Sequence, residues 1–434
     1  MDFIVNPAAV TDATVCVPGD KSVSHRALML GGVAEGRTNV SGFLAGADCL
    51  ATLAALAAMG VSIERPTETE LVIHGVGLHG LEKPGGDLDL GNSGTAMRLM
   101  AGLLCGQKFS SRLTGDESLT GRPMQRVITP LTDMGAAIDS EDGRPPLTLR
   151  GGSKLKSISY ELPVASAQVK SAILLAGLYA DGTTSVMEPA VTRDHTERML
   201  ESMGVHIETG KSCISIDGGQ TPQGCLVQVP GDLSSAAFPI LTALLSESAE
   251  ILIENVGVNP TRTGVIDILH AMGADISLEN PRLLGQEPVA DIRVRASALR
   301  GGPVDPGLVS LAIDEFPVLF VAAAAASGKT HFSGIGELRV KESDRIAAMA
   351  AGLRTLGIDV DESEDGAVVH GGRFSGGQVE SFGDHRIAMA LAIAASAADD
   401  TVTIRDVDAV NTSFPGFCEL MRSVGVDVRR SEAV

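Results

Sequence analysis

Polar turns and apolar runs alternate along the chain with a long period. The first instance is a β-type run, Ala13-Thr-Val-Cys-Val17, then Pro18-Gly-Asp-Lys-Ser-Val-Ser-His-Arg26, then the apolar run Ala27-Leu-Met-Leu-Gly-Gly-Val33. That order predicts strand, tight turn and helix start, with Asp20 or Ser22 as the cap. The construction recurs. Turns opening at Asp20, Asn92, Ser166, Asp232, Asp314 and Asp384 precede apolar runs at 27–33, 96–104, 172–178, 236–245, 318–326 and 387–394. Runs that are apolar all round predict buried helices, because no polar face is left for solvent.

A second pattern is interleaved with the first: an amphipathic helix ending in Gly, then a β-branched strand. It stands at Met59-Gly-Val-Ser-Ile63, Met134-Gly-Ala-Ala-Ile138, Met203-Gly-Val-His-Ile207, Met272-Gly-Ala-Asp-Ile276, Leu356-Gly-Ile-Asp-Val360 and Val424-Gly-Val-Asp-Val428. Gly suits the left-handed residue that ends a helix. Both patterns repeat at roughly 70–80 residues, longer than a solenoid unit, so each copy is a βαβ-containing subdomain. The lead-ins Val15-Cys-Val-Pro-Gly-Asp20 and Val227-Gln-Val-Pro-Gly-Asp232 match, which divides the copies into two sets of three. The expected architecture is therefore α/β (α+β) with two similar domains, 1–19 plus 233–434 and 20–232. Each domain has three buried helices aimed at one cleft between the two domains, where ligands favour binding.

At 434 residues, two domains are the default on length alone. No Trp, two Tyr and eleven Phe leave few stacking platforms, and a net charge of −20 gives no basic field, so nucleic acid is not an expected partner. Locally gathered Lys and Arg in so acidic a chain point instead to small anions. The six cysteines form no C-x-x-C pair and read as reduced packing thiols of a cytoplasmic protein. The N-terminus shows no basic segment followed by an apolar one, so no signal peptide is expected, and apolar runs such as 318–326 are too short to span a membrane.

The helix mouths carry the chemistry. A helix start offers unpaired N–H groups and partial positive charge to an anion. Lys21, Ser22 and Arg26 stand at the first mouth; both cations face it only if Lys21 lies just outside the helix. A capped helix with solvated cations is the alternative. At the second mouth are Asn92, Gly94 and Thr95, with Arg122 in the polar loop 113–124. Ser166 and Gln168 front the third helix, Lys170 reads as capping-region charge, and Arg193 follows in the loop 188–197. Asp314 precedes Pro317 and reads equally as an N-cap. Lys341, Glu342 and Arg345 share a face if that segment is helical. Arg386 follows Asp384-His385. Together these residues describe a site for phosphate and carboxylate groups, with two carboxylates for proton transfer and no strong nucleophile in a base dyad.

Three matches lack their context. Gly75-Val-Gly-Leu-His-Gly80 fits G-x-G-x-x-G, but Leu81-Glu-Lys-Pro does not start a helix. Ser327-Gly-Lys-Thr330 ends like a P-loop, with Ala323 where the first Gly belongs. No H-E-x-x-H or similar pair offers a metal ligand set, and no cofactor is expected.

Gly19-Asp-Lys-Ser-Val-Ser-His-Arg26, Gly91-Asn-Ser-Gly-Thr-Ala-Met-Arg98, Arg339-Val-Lys-Glu-Ser-Asp-Arg345 and Asp384-His-Arg-Ile-Ala-Met389 together resemble the EPSP synthase family of enolpyruvyl transferases, over nearly the whole chain. The resemblance implies an inside-out α/β barrel in each of two domains. It also implies enolpyruvyl transfer from phosphoenolpyruvate to the 5-hydroxyl of shikimate 3-phosphate, in the shikimate pathway to chorismate and the aromatic amino acids. By position it implies that Lys21, Ser22, Arg26, Ser166, Ala167, Gln168, Arg193, Asp314 and Lys341 contact shikimate 3-phosphate. Lys21, Gly94, Arg122, Gln168, Arg345 and Arg386 would hold phosphoenolpyruvate. Asp314, Glu342 and Lys21 would be catalytic, with no metal, no cofactor and a monomer as the expected state. Ala165-Ser-Ala-Gln-Val-Lys170 and Thr192-Arg-Asp-His195 resemble the branch that includes glyphosate-tolerant members, whereas Gly94 is typical of sensitive ones; sensitivity is expected. Asn411-Thr-Ser-Phe-Pro415 lacks the Lys that many members place there. The sister UDP-N-acetylglucosamine enolpyruvyl transferase would show a Lys-Asn pair and a reactive loop Cys. Here Lys21-Ser22 and Cys105, within an apolar run, stand instead.

Overall fold

The computed structural model describes residues 1–431 of the chain. They form two compact units: Met1–Pro18 with Pro230–Leu283 and the chain from Pro288 onward, and Gly19–Val229 with Leu284–Glu287. Each has its own hydrophobic core. We call them the 230–431 unit and the 19–229 unit. The sequence places the crossings at 19/20 and 232/233, whereas contacts place them at 18/19 and 229/230. The reason is local. Gly19 packs so closely on Gly42 that a Cβ would lie 1.9 Å from its carbonyl oxygen. The turn 230–232, in contrast, stays with the helix it opens: Gly231 N–H donates to the Asn255 carbonyl at 2.9 Å and Asp232 N–H to that of Pro18 at 2.9 Å. The assignment of 284–287 to the 19–229 unit has no sequence signal. It is the tip between the strands Asp275–Leu284 and Glu287–Arg295, where Arg198 donates to the Gln286 carbonyl at 2.8 Å.

Each unit contains three sheets, four-stranded except for that of Lys329–Ser333, Gly366–His370 and Val360–Ser363, which has three strands. In the second copy, strand Leu88–Asp89 leads to helix Gly94–Leu104, strand Ser111–Thr114, helix Gln125–Asp133 and the hairpin Ala137–Glu141 with Arg144–Arg150. The first strand pairs parallel with the second, and the remaining pairs are antiparallel. The repeat is thus βαβαββ. The leading strands of the first and fourth copies are exchanged. Ala13–Cys16, which precedes the first helix, pairs parallel with Glu250–Gly257 of the fourth copy. Leu226–Gln228, which precedes the fourth helix, pairs parallel with Glu35–Ser41 of the first. Each crossing strand completes a sheet in the unit it is about to leave.

Six apolar helices fill the cores: Lys21–Val33, Gly94–Leu104, Ala167–Gly177, Leu233–Leu245, Phe316–Ala325 and His385–Ser396. In Phe316–Ala325 every residue from Phe316 to Ala324 is buried. Gly102 shows why small residues lie on these helices: a Cβ there would come 2.2 Å from the Ala172 carbonyl oxygen of the next helix. The six helix-ending glycines, Gly60, Gly135, Gly204, Gly273, Gly357 and Gly425, all have positive φ, between 79° and 100°. Gly75–Gly80 finishes a strand and enters irregular chain, and Lys329 starts a strand. Among the described residues, no helix is long and apolar enough to cross a membrane.

Candidate active site

In the 19–229 unit the first turns of three central helices are bonded to one another. Asp20 caps the first helix, accepting from Val23 N–H at 2.9 Å. Ser93 caps the second, accepting from Ala96 N–H at 3.1 Å, and Ser166 the third, accepting from Val169 N–H at 3.4 Å. Lys21 is the first helical residue rather than lying outside the helix, and its ammonium pairs with the buried Asp48. Arg26 turns sideways and is 3% exposed. It donates to the Thr196 hydroxyl at 2.6 Å, the Ser171 hydroxyl at 2.8 Å and the Ser22 carbonyl at 2.9 Å. Burial and then the neighbouring Arg193 guanidinium lower its pKa to about 10. His25 joins the first helix to the second through Ser93 at 3.3 Å and to the helix Ala47–Ala58 through Thr52 at 2.9 Å. Burial, then Lys21 and Arg26, push it well below its usual value, so it is neutral.

A second group gathers at the Gly94 mouth. Arg98 donates to Gln168 Oε1 at 2.6 Å, and Gln168 Nε2 donates to the Thr95 hydroxyl at 2.9 Å. Arg122 donates to Asn92 Oδ1 at 2.5 Å and to the Ser118 hydroxyl at 3.2 Å. A Cβ on Gly94 would lie 2.9 Å from Arg98 Nη1 and 3.1 Å from Arg122 Nη1, so the glycine keeps space open beside two guanidiniums. Lys170 is not capping-region charge: it is 1% exposed and paired with Glu188 and Glu197.

The 230–431 unit builds its mouth from carboxylates. Arg345, 1% exposed, donates to Asp384 Oδ2 at 2.8 Å and to Glu342 Oε2 at 2.5 Å, and its Nη1 stands 3.5 Å from Asp314 Oδ1. That Nη1 is buried without a hydrogen-bond partner. Although burial works against the charge, Asp384, Glu342 and Asp314 hold the guanidinium above its usual pKa. Asp384 in turn is held below the usual carboxylate range by Arg345, against the upward push of burial. Arg386 donates to the Asp314 carbonyl at 2.9 Å. Glu315 accepts from the Ser234 hydroxyl, and Arg262 donates to Ser234 at 2.6 Å and to Asp232 at 3.2 Å.

Two local readings change. Residues 341–344 are not helical, because the helix is Arg345–Thr355; Lys341 follows the short 3-10 turn Gly336–Val340. Burial lowers the Lys341 pKa, with Asp314 and Glu337 opposing. Nor is Asp314 a helix cap. The residue at the cap position of Phe316–Ala325 is Glu315, with no side-chain cap bond. Asp232 and Asp384 cap their own helices, bonding Ser234 N–H and Arg386 N–H at 2.9 Å each. The carboxylate of Asp314 is therefore turned to Arg345 and Arg386.

The residues singled out from sequence thus fall into two groups. Lys21, Ser22, Arg26, Gly94, Arg122, Ser166, Ala167, Gln168 and Arg193 lie in the 19–229 unit, and Asp314, Lys341, Glu342, Arg345 and Arg386 in the other. Asp48, Arg98 and Asp384, which hold members of these groups, carried no assigned role. Only Arg98 and Asp384 were within reach of a local signal, inside the motifs at 91–98 and 384–389.

A family model described as EPSP synthase (3-phosphoshikimate 1-carboxyvinyltransferase) matches residues 5–421. The chain belongs to the EPSP synthase family. A 3-phosphoshikimate 1-carboxyvinyltransferase of Alkalilimnicola ehrlichii is 57% identical over 435 residues, covering 100% of this chain and 98% of the relative. The one from Methylococcus capsulatus is 56% identical over 430 residues, 99% of this chain and 98% of the relative. The solved EPSP synthase of Acinetobacter baumannii superposes with a TM-score of 0.88 at 51% identity, covering 99% of this chain and 100% of that one. The family fold is therefore shared over the whole chain. The thiol chemistry expected of the sister transferase has no counterpart in Cys105, which is buried and has its pKa raised to about 12 by that burial.

Proposed function

We propose that the two half-sites act on one pair of substrates, transferring the enolpyruvyl group of phosphoenolpyruvate to the 5-hydroxyl of shikimate 3-phosphate. The observation that carries this reading is the arrangement around Asp314. A carboxylate that caps no helix stands 3.5 Å from a buried guanidinium nitrogen, with Glu342 on the same Arg345. Arg345 and Arg386 would hold the phosphoenolpyruvate carboxylate, and Lys21, Arg122, Gln168 and the open space at Gly94 its phosphate. Lys21, Ser22, Arg26, Ser166, Gln168 and Arg193 would hold the 3-phosphate, with Ala167 beside them and Lys341 and Asp314 at the 5-hydroxyl.

In the addition step Asp314 accepts the 5-hydroxyl proton as that oxygen bonds to C2 of phosphoenolpyruvate, and Glu342 donates a proton to the methylene carbon. The product is a tetrahedral intermediate with no bond to the enzyme. In the elimination the C2–O bond to phosphate breaks as the departing oxygen takes the proton held by Asp314, the methyl group returns a proton to Glu342 and the double bond re-forms. Lys21 balances charge on the departing phosphate. Positioning and fixed charges supply most of the acceleration. We place the enzyme in the cytoplasm, acting as a monomer.

The test is phosphate release from phosphoenolpyruvate with and without shikimate 3-phosphate. Release that depends on the shikimate ester supports the assignment. Release with UDP-N-acetylglucosamine alone would move it to the sister reaction, and silence with both would remove it.

A further inference from the structure

We propose that Lys170 is a positioning residue that sets the affinity for shikimate 3-phosphate by fixing Arg193, a claim that rests on the functional reading above. Lys170 is 1% exposed and so cannot itself meet substrate from where it stands. Its ammonium has three donors and three acceptors around it: Glu197 Oε1 at 2.7 Å, Glu188 Oε1 at 3.0 Å and the Thr192 carbonyl at 3.3 Å. These acceptors bracket Arg193. Thr192 immediately precedes it, Glu188 begins the irregular segment 188–194 that carries it, and Glu197 lies in the first turn of the helix His195–Ser202 that ends the segment. Glu188 also accepts from the Thr192 hydroxyl, which closes the loop on itself.

The neighbouring residue grips the other side. Ser171 accepts from both Arg26 Nη2 at 2.8 Å and the Thr196 hydroxyl at 2.7 Å. One turn of the helix Ala167–Gly177 therefore fixes Arg26 through Ser171 and the Arg193 segment through Lys170. Burial lowers the pKa of Arg26 most, and repulsion from the Arg193 guanidinium lowers it further, with Glu197 opposing. A loop without regular structure would let Arg193 swing away from that repulsion. The buried ammonium prevents this and leaves two cations set for a dianionic group before it arrives, so less ordering is left to binding.

The experiment is a double-mutant cycle on the full chain, Lys170→Met with and without Arg193→Ala, following kcat and both KM values. Lys170→Met is expected to raise KM for shikimate 3-phosphate on the order of tenfold, as a displaced binding group does. KM for phosphoenolpyruvate should stay within about twofold, the scatter of uncoupled sites. In the Arg193→Ala background Lys170→Met should add nothing. Equal rises in both KM values, or a full additional rise in that background, would overturn the proposal, because a general structural role predicts them. If Lys170→Met fails to fold, Thr192→Val enters the same cycle, since it removes only the hydroxyl link from the loop to Glu188; the same signs are expected, and additivity overturns. Should the unaltered chain release no phosphate with shikimate 3-phosphate, the functional reading falls by itself. The positioning claim is then decided by the same cycle on the dissociation constant for inorganic phosphate, measured by calorimetry.

Discussion

The same βαβαββ repeat builds both units, yet their helix mouths hold arginines with different sets of partners. In the 19–229 unit Arg26 is held by hydroxyls and a carbonyl, Arg98 by an amide, and Arg122 by an amide and a hydroxyl. A hydroxyl, amide or carbonyl fixes a guanidinium without itself cancelling the charge, although Lys21 in the same unit is paired with the carboxylate of Asp48. In the 230–431 unit Arg345 is surrounded by Asp384, Glu342 and Asp314, and Arg386 stands near Asp314 and Glu315. There the cations hold carboxylates in place, which suits proton transfer. On the proposed function, one half would capture anions and the other would move protons.

The largest effect follows from that contrast. Asp314→Asn should lower kcat by about a hundred- to ten-thousandfold, the usual worth of a positioned acid or base. The dissociation constant for shikimate 3-phosphate, measured by calorimetry, should change far less. Arg193→Ala should do the reverse, raising KM for the shikimate ester with a smaller loss in kcat. If the two variants lose kcat alike, the division between the halves is wrong.

Next in size is the cost of disturbing the carboxylate side. Asp384 is fully buried on Arg345, so Asp384→Ala leaves a buried guanidinium short of its main partner. Stability at neutral pH should fall by roughly 3–5 kcal/mol, read by urea unfolding. The sign with pH is fixed by the lowered pKa of Asp384. Its stabilisation is present above the ordinary carboxylate range and disappears as pH falls through the folded value. The gap between wild type and variant should close on acidification. A gap that widened would mean that Arg345 does not hold Asp384 ionised.

The repeat was legible because its signals are local. A cap and an apolar run mark each helix start, and a glycine marks each helix end; the positive φ at Gly60, Gly135, Gly204, Gly273, Gly357 and Gly425 is that signal read back from the backbone. The strand exchange was half legible. Val15-Cys-Val-Pro-Gly-Asp20 and Val227-Gln-Val-Pro-Gly-Asp232 marked where the chain crosses, but which sheet each strand joins depends on long-range pairing, such as Ile251 with Ala13 and Leu226 with Asn39, for which periodicity carries no signal. Site cations were visible as residue types, whereas their partners were not. Asp48 meets Lys21 from a separate helix, and Glu188 and Glu197 meet Lys170 across a loop. The cap reading of Asp314 failed for a physical reason: its carboxylate faces two guanidiniums, and the cap position passes to Glu315.

A smaller effect tests the anion side alone. In Gly94→Ala the added methyl would press on Arg98 Nη1 and Arg122 Nη1, both ends of flexible side chains, so the fold should tolerate it. The guanidiniums shift, and KM for phosphoenolpyruvate should rise by several-fold to about tenfold, while KM for shikimate 3-phosphate stays. Glyphosate, competing with phosphoenolpyruvate, should inhibit the unaltered chain below the millimolar range and the variant less. An inhibition constant already in the millimolar range for the unaltered chain would show that the space beside Gly94 does not decide sensitivity.

The smallest effect separates capping from chemistry. Ser93 caps its helix with a bond to Ala96 N–H and also touches the neutral His25. Ser93→Ala removes both contacts and should lower stability by about 1–2 kcal/mol, the range for a lost cap, with kcat unchanged. Asp314→Asn should lower stability by less than that, because Asp314 is not the cap residue of Phe316–Ala325 and its ion pairs with Arg345 and Arg386 are long, at 3.5 and 4.0 Å. The two variants thus exchange their ranks: the cap mutant loses stability and keeps turnover, and the Asp314 mutant keeps stability and loses turnover. If Asp314→Asn were instead the less stable of the two, its carboxylate would be holding the turn before Phe316, and the proton would have to leave the 5-hydroxyl by way of another group.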